Sequence, residues 1–174
     1  MPETMSDSNP PRSSIQRAVD LLSDISIGIA ATALLGLVLV QGWQVIARYI
    51  INDSPSWTEP VTVLLLSTAM SLGAASGVHS KRHFAFSLLA ESLGPSARRV
   101  LQAIPPLVIL AIGATIAYWA WVLLIDGLDI RAAGADLPQS ISYLPLSVGG
   151  ALMTVFAFGQ LIDALRKPVA DGVV

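Results

Sequence analysis

Residues 25–47 read ISIGIAATALLGLVLVQGWQVIA, an unbroken stretch without a charged side chain. A helix needs about 20 apolar residues to cross a hydrocarbon core about 30 Å thick, so this stretch is long enough to span. Three more charge-free windows follow, at Pro60–Ser80, Val100–Ile125 and Leu137–Ile162. Over all 174 residues only 13% are charged and 53% are hydrophobic, with a mean hydropathy of +0.67. An ordinary soluble domain is about one-quarter charged. The pattern predicts an all-α membrane protein with four transmembrane helices at about 25–47, 60–80, 100–125 and 137–162. These lie in one domain, 14–167, between a polar tail at 1–13 and a short C-terminal tail at 168–174. No connection between spans is long enough to hold a second, soluble domain.

The first span is not expected to be a cleaved leader. Its apolar stretch exceeds the 7–15 residues of a signal h-region, and no small-residue cleavage motif follows it. Instead Gln41, Trp43, Gln44 and Arg48 come next. Orientation follows from the cations. The tails and the second loop carry Arg12, Arg17, Lys81, Arg82, Arg98, Arg99, Arg166 and Lys167, whereas the first and third loops carry only Arg48 and Arg131. The positive-inside rule then places both termini and the second loop in the cytoplasm. The aromatic residues agree. Trp43, Tyr49, Trp57, Tyr118, Trp119, Trp121 and Tyr143 all fall near the opposite, outer interface, where amphipathic rings settle.

Between these landmarks the chain carries finer signals. Ser13-Ser14-Ile15-Gln16 has capping-box spacing and starts a helix expected to run on into span one. Ser56-Trp57-Thr58-Glu59 repeats that spacing ahead of span two, with Pro60 in the first turn, where a missing N–H costs little. Span two is rich in small residues, and Gly73 and Gly77 form a GxxxG. Helices in lipid associate through close packing, so this face should meet another helix, in this chain's own bundle or in a partner subunit. In loop two, Phe84, Ala85, Leu88, Leu89 and Leu93 make an apolar stripe opposite His83, Ser87 and Glu91. That pattern predicts a short amphipathic helix lying in the membrane interface between spans two and three. Pro105-Pro106 can kink span three. Loop three is a small acidic surface carrying Asp126, Asp129 and Asp136.

The search for chemistry excludes more than it finds. There are no cysteines, hence no disulfide, thiolate metal site or redox dithiol. A net charge of −2 without a long basic run argues against nucleic acid as a partner. No ionisable residue stands in the middle of any span, whereas transporters that act alone rely on such groups. The only histidines, His79 and His83, are four apart. No other span offers a ligand to hold a haem between helices, so no cofactor and no metal site is expected. No nucleophile–base pair or phosphate loop occurs, and an enzyme is not expected. Arg48 and Glu59 bracket the first outer loop beside Trp57 and can pair across it, although an exposed pair contributes only about 0–1 kcal/mol.

These residues, in this order, resemble a known family. Arg48-Tyr49, then Asn52, Trp57-Thr58-Glu59 at the head of span two, Leu72-Gly73-Ala74-Ala75 within it and His83 beyond it are similar to the small membrane subunit (DctQ type) of tripartite ATP-independent periplasmic (TRAP) transporters. The resemblance covers about Leu21 to Leu165, its specific part Arg48 to Leu93. Many members carry a second acid after the Glu, where this chain has Pro60. It implies a non-catalytic scaffold subunit in a bacterial inner membrane, partnered by a large permease subunit that carries solute and sodium by an elevator-like movement. A periplasmic solute-binding protein would deliver an organic acid. On this reading Arg48, Trp57 and Glu59 fix the outer ends of spans one and two, Gly73 and Gly77 permit close packing, and His83 anchors the cytoplasmic interface among membrane lipids. An autonomous four-span transporter and an anchoring subunit of an unrelated membrane complex stay open as alternatives.

Overall fold

The computed structural model describes residues 14–53, 55–80, 95–134 and 138–166. These form four long helices, each long and apolar enough to cross a membrane. Helix α1 is Ser14–Ile46, α2 Thr58–His79, α3 Pro95–Asp126 and α4 Leu144–Arg166. The helix expected to begin near Ser14 does run on unbroken into the first span, and α3 continues through Pro105 and Pro106. The amphipathic helix expected at loop two, with His83, lies outside the described residues, as do the tails.

The helices do not close into a ring. α1 packs on α2, α2 on α4, and α4 on α3, while α1 and α3 share no extended packing. The two inner helices, α2 and α4, are accordingly more buried than the outer two. Large apolar side chains stand in the open on the outer faces, among them Leu35 and Leu39 on α1, Leu107 and Ile112 on α3. Water would not tolerate so continuous an apolar surface; hydrocarbon does. Near the end that holds His79, all four helices contribute to one apolar cluster: Val19 from α1, Ala75 and Val78 from α2, Ile109 and Leu110 from α3, Phe156 and Ala157 from α4.

Closest approach is achieved by two neighbouring glycines of α4. A Cβ on Gly149 would lie 2.6 Å from Ser71 Cβ and 2.8 Å from the Ser71 carbonyl carbon. A Cβ on Gly150 would lie 2.8 Å from the Ala117 backbone nitrogen on α3. One glycine therefore seats α2 and the next seats α3. Ser71 Oγ seals the first contact by donating to the Pro145 carbonyl at 2.9 Å and to its own-helix Ser67 carbonyl at 2.6 Å. The glycines singled out in the sequence behave differently. At Gly73 an added Cβ would reach only Ala30 Cβ, at 3.9 Å, and at Gly77 it would meet nothing within 4 Å. The phase of α2 explains this. Ser71, Ala75 and Val78 point to α4, Thr62, Leu65 and Ser76 face α1, and Gly77 falls on the remaining side.

The described parts of the first and third connections are held against each other. α1 ends in a wider π turn, Ala47–Ile51, closed by Asn52 in the left-handed region at φ 58°. The loop after α3 returns through a 3-10 turn, Gln139–Tyr143, held by Gln139 N–H to the Ile130 carbonyl at 2.8 Å. At Gly134 the backbone has φ +84° and a Cβ would fall 2.6 Å from the Ser56 carbonyl oxygen, so glycine is required there both by conformation and by space. The capping box expected at Ser56 is not made. Trp57 occupies the N-cap without a side-chain hydrogen bond, because Ser56 Oγ donates instead to the Gly134 carbonyl at 2.9 Å, and Thr58 Oγ1 closes the turn on the Pro55 carbonyl at 2.8 Å.

This packing makes the two kinds of glycine distinguishable. Gly149→Ala should destabilise the chain by about 1–3 kcal/mol, the usual cost of overpacking. Gly77→Ala should leave thermal stability of the isolated chain within error, as read by melting in detergent.

Candidate functional site

The described residues hold no group of three or more His, Asp or Glu side chains able to bind a metal. Their polar groups are organised as fasteners between helices. Thr32, Thr68, Thr115 and Thr154 each return their hydroxyl proton to the carbonyl four residues back, which removes the cost of a bare hydroxyl in lipid. Ser26 and Ser80 do likewise, and the remaining contacts join helices or loops, or close turns.

The most developed group lies at the end of the bundle where α2 stops. His79 Nε2 and Asp20 Oδ1 are 2.9 Å apart, joining α2 to α1, and both side chains are only partly exposed. One face of the imidazole rests on Phe156 of α4, with ring centroids 5.2 Å apart and a tilt of 47°. One turn into the membrane, Ser23 Oγ and Ser76 Oγ meet at 3.0 Å, both residues buried. Gln160 Nε2 on α4 donates to the Val78 carbonyl, which is among the last α2 carbonyls that the helix cannot satisfy itself. Three helices are thus locked at one level by a carboxylate, an imidazole and an amide. Near the other end Gln41 Nε2 donates to Thr62 Oγ1 at 3.0 Å, joining α1 and α2 again.

The site residues expected from sequence are distributed over these surfaces. Arg48 lies in the π turn and Glu59 in the first turn of α2; both side chains are exposed, and they do not pair with each other among the described residues. Trp57 is 45% exposed at the head of α2, where it flanks the bundle without entering it. Gly77 is exposed and Gly73 half-buried. His83 is outside the described residues. The residues that do come together and were not anticipated are Asp20 and His79. A signal was available: the cation pattern puts the start of span one and the end of span two at one membrane face, which places these two side chains at similar depth.

Comparison with known proteins decides what this four-helix assembly is. Residues 37–167 match the family described as tripartite ATP-independent periplasmic transporters, DctQ component. The chain belongs to the DctQ family. It is also 25% identical over 122 residues, 70% of this chain and 76% of the relative, to a Haemophilus influenzae protein described as a TRAP transporter small permease protein. A small permease subunit of a TRAP transporter therefore has this arrangement of four apolar helices, and the resemblance read from Arg48 to Leu93 falls within the matched region.

The His79–Asp20 contact is a measurable fastener of this subunit. In a double-mutant cycle with Asp20→Asn and His79→Ala, the coupling free energy should be about 0.5–1 kcal/mol, the range for partly exposed pairs. Coupling indistinguishable from zero at neutral pH would show that Phe156 alone holds the ring.

Proposed function

We propose that this chain is the non-transporting scaffold subunit of a sodium-coupled, binding-protein-dependent importer of organic acids. The solute and cation sites then lie in the large permease subunit, which moves as an elevator against a fixed support. The observation that carries this reading is the state of the polar groups within the described spans. In the described spans no carboxylate or cation stands at mid-membrane depth, and no buried side-chain nitrogen or oxygen lacks a hydrogen-bond partner. A solute carrier needs unsatisfied polar groups facing a cavity; a support needs them satisfied.

The same reading assigns the bundle's surfaces. On α2 the side turned away from both α1 and α4 carries Glu59, Val63, Leu66, Met70, Ala74 and Gly77, all exposed. Its inner half is small enough to accept another helix closely, which makes it the face proposed for the permease. Arg48, Trp57 and Glu59 stand at the loop end, proposed as the outer, periplasmic side on the strength of the cation asymmetry, within reach of a docking binding protein. The termini, His79 and His83 then face the cytoplasm, in a bacterial inner membrane.

The deciding experiment is sodium-driven uptake of organic acids in proteoliposomes with binding protein present, comparing this chain alone, the large permease alone and the two together. The expected result is silence from this chain alone and uptake that requires the permease and rises when this chain is added. Uptake by this chain alone would overturn the scaffold reading. Gly77→Leu should reduce co-purification with the permease while leaving the melting temperature of the isolated chain unchanged; loss of both together would move Gly77 into this chain's own packing.

A further inference from the structure

The α1–α2 hairpin is joined by side-chain hydrogen bonds near its ends, and one flank of its packed middle is open. Asp20–His79 and Ser23–Ser76 close one end and Gln41–Thr62 the other. Between them lies a lateral groove of about 640 Å³, walled by Ile25, Gly28, Thr32 and Gly36 of α1 and by Leu65 and Thr68 of α2. Two of the wall residues are threonines, but their hydroxyl protons are taken: Thr32 donates to the Gly28 carbonyl at 2.9 Å and Thr68 to the Leu64 carbonyl at 2.7 Å. The groove is lined by hydrocarbon and by two glycines that keep it open. An added Cβ would meet nothing within 4 Å at Gly28, and at Gly36 only the Leu65 methyls at 3.6 Å.

Its length and one end say what fits. From Ile25 to Gly36 the helix rises about 16 Å, at about 1.5 Å per residue, which is one leaflet of a hydrocarbon core about 30 Å thick. One helical turn beyond Gly28 on α1, outside the groove's wall, stands Asp24. It is exposed and has no hydrogen-bond or ion-pair partner among the described residues, in contrast to Asp20, which His79 holds. Arg17 lies about 10 Å farther along the helix, at about 1.5 Å per residue, too far to neutralise it. A carboxylate at the edge of the hydrocarbon, next to an apolar slot one leaflet deep, complements a molecule with a cationic head and a hydrocarbon tail.

We propose that the groove seats one acyl chain of an aminophospholipid whose primary ammonium pairs with Asp24. The bound chain covers the open flank between the two fastened ends of the hairpin, so the lipid acts as a packing element of the subunit. This does not depend on which protein the subunit supports.

The test uses the full-length chain in nanodiscs of equal parts phosphatidylethanolamine and phosphatidylglycerol. A trace of the ethanolamine lipid carries a photoactivatable group on its acyl chain. Labelling should concentrate on the peptides that contain residues 25–36 and 65–68. Native mass spectrometry should show one retained ethanolamine lipid, preferred over the glycerol lipid by about five-fold, as one ion pair of about 1 kcal/mol gives. Gly28→Leu should abolish retention in the nanodisc while leaving the melting temperature in lipid-free detergent unchanged, since an added Cβ there enters free space. Asp24→Asn should keep labelling in the groove but bring the two lipids to parity. Even labelling over the exposed Leu35 and Leu39 faces would overturn the site, as would retention unaffected by Gly28→Leu, or capture of a second protein chain at these peptides. Equal retention of both lipids by the unaltered chain would overturn the ammonium–Asp24 pairing.

Discussion

The arrangement of this subunit depends on one steric constraint, the adjacent glycines of α4. In water the hydrophobic effect presses helices together, but in lipid the surroundings are as apolar as the helices and this drive is absent. Association then rests on dispersion contacts, which decay steeply with separation, so backbones must come close. Gly149 and Gly150 provide this on two sides of one helix, because consecutive residues point about 100° apart. α2 settles against the first at Ser71 and α3 against the second at Ala117. Had the glycines been four apart, both would have served one neighbour, and α4 could not have become the inner helix of a 1-2-4-3 row.

The antiparallel hairpin of α1 and α2 follows a different logic. Its contacts are small and polar, and they keep register along its whole length. As α1 advances from Asp20 through Ser23 and Ala30 to Gln41, its partner on α2 retreats from His79 through Ser76 and Gly73 to Thr62. Side-chain hydrogen bonds between membrane helices contribute only about 0.6 kcal/mol each on average, so several in register are needed for what one glycine seat achieves on α4. They also fix rotation about the helix axis, which glycine packing alone leaves loose.

The four spans were legible because charge is costly in hydrocarbon, and the charge-free windows record that cost directly. Much less of the interior was legible. The GxxxG at Gly73 and Gly77 advertises a packing face, yet the close approach occurs at Gly149-Gly150, where the spacing signal is the weaker small-xxx-small of Gly150 and Thr154 facing Gly113 and Ala117. Which side of a helix a glycine serves depends on where the neighbouring helices lie, and that is a property of the assembly. Ser56 failed as a cap for a similar reason. Its hydroxyl had a local partner in the helix start and a remote one at Gly134, seventy-eight residues away, and only the fold reveals the second. Arg48 and Glu59 bracket one loop in sequence, yet both side chains are exposed and do not pair with each other among the described residues. The Asp20–His79 contact, by contrast, lay within reach of sequence reasoning once topology was combined with hairpin register.

These features suit a subunit that stays still. A carrier that alternates between two states keeps polar groups that exchange partners as it moves, and its interfaces must slide. In this chain every buried side-chain nitrogen or oxygen among the described residues has a hydrogen-bond partner. The loop after α3 is clamped to the head of α2 through Gly134 and Ser56, and three helices are locked at the opposite end around Phe156 and His79. Both ends of the bundle are therefore fixed by contacts at right angles to the helix axes, and sliding one helix along another would break contacts at both ends together. The open flank lies at the middle of the α1–α2 hairpin, where the slot runs beside Thr32. Filling that slot with hydrocarbon supports the hairpin laterally without adding a polar contact, so rigidity extends to the middle of the membrane without a charge there.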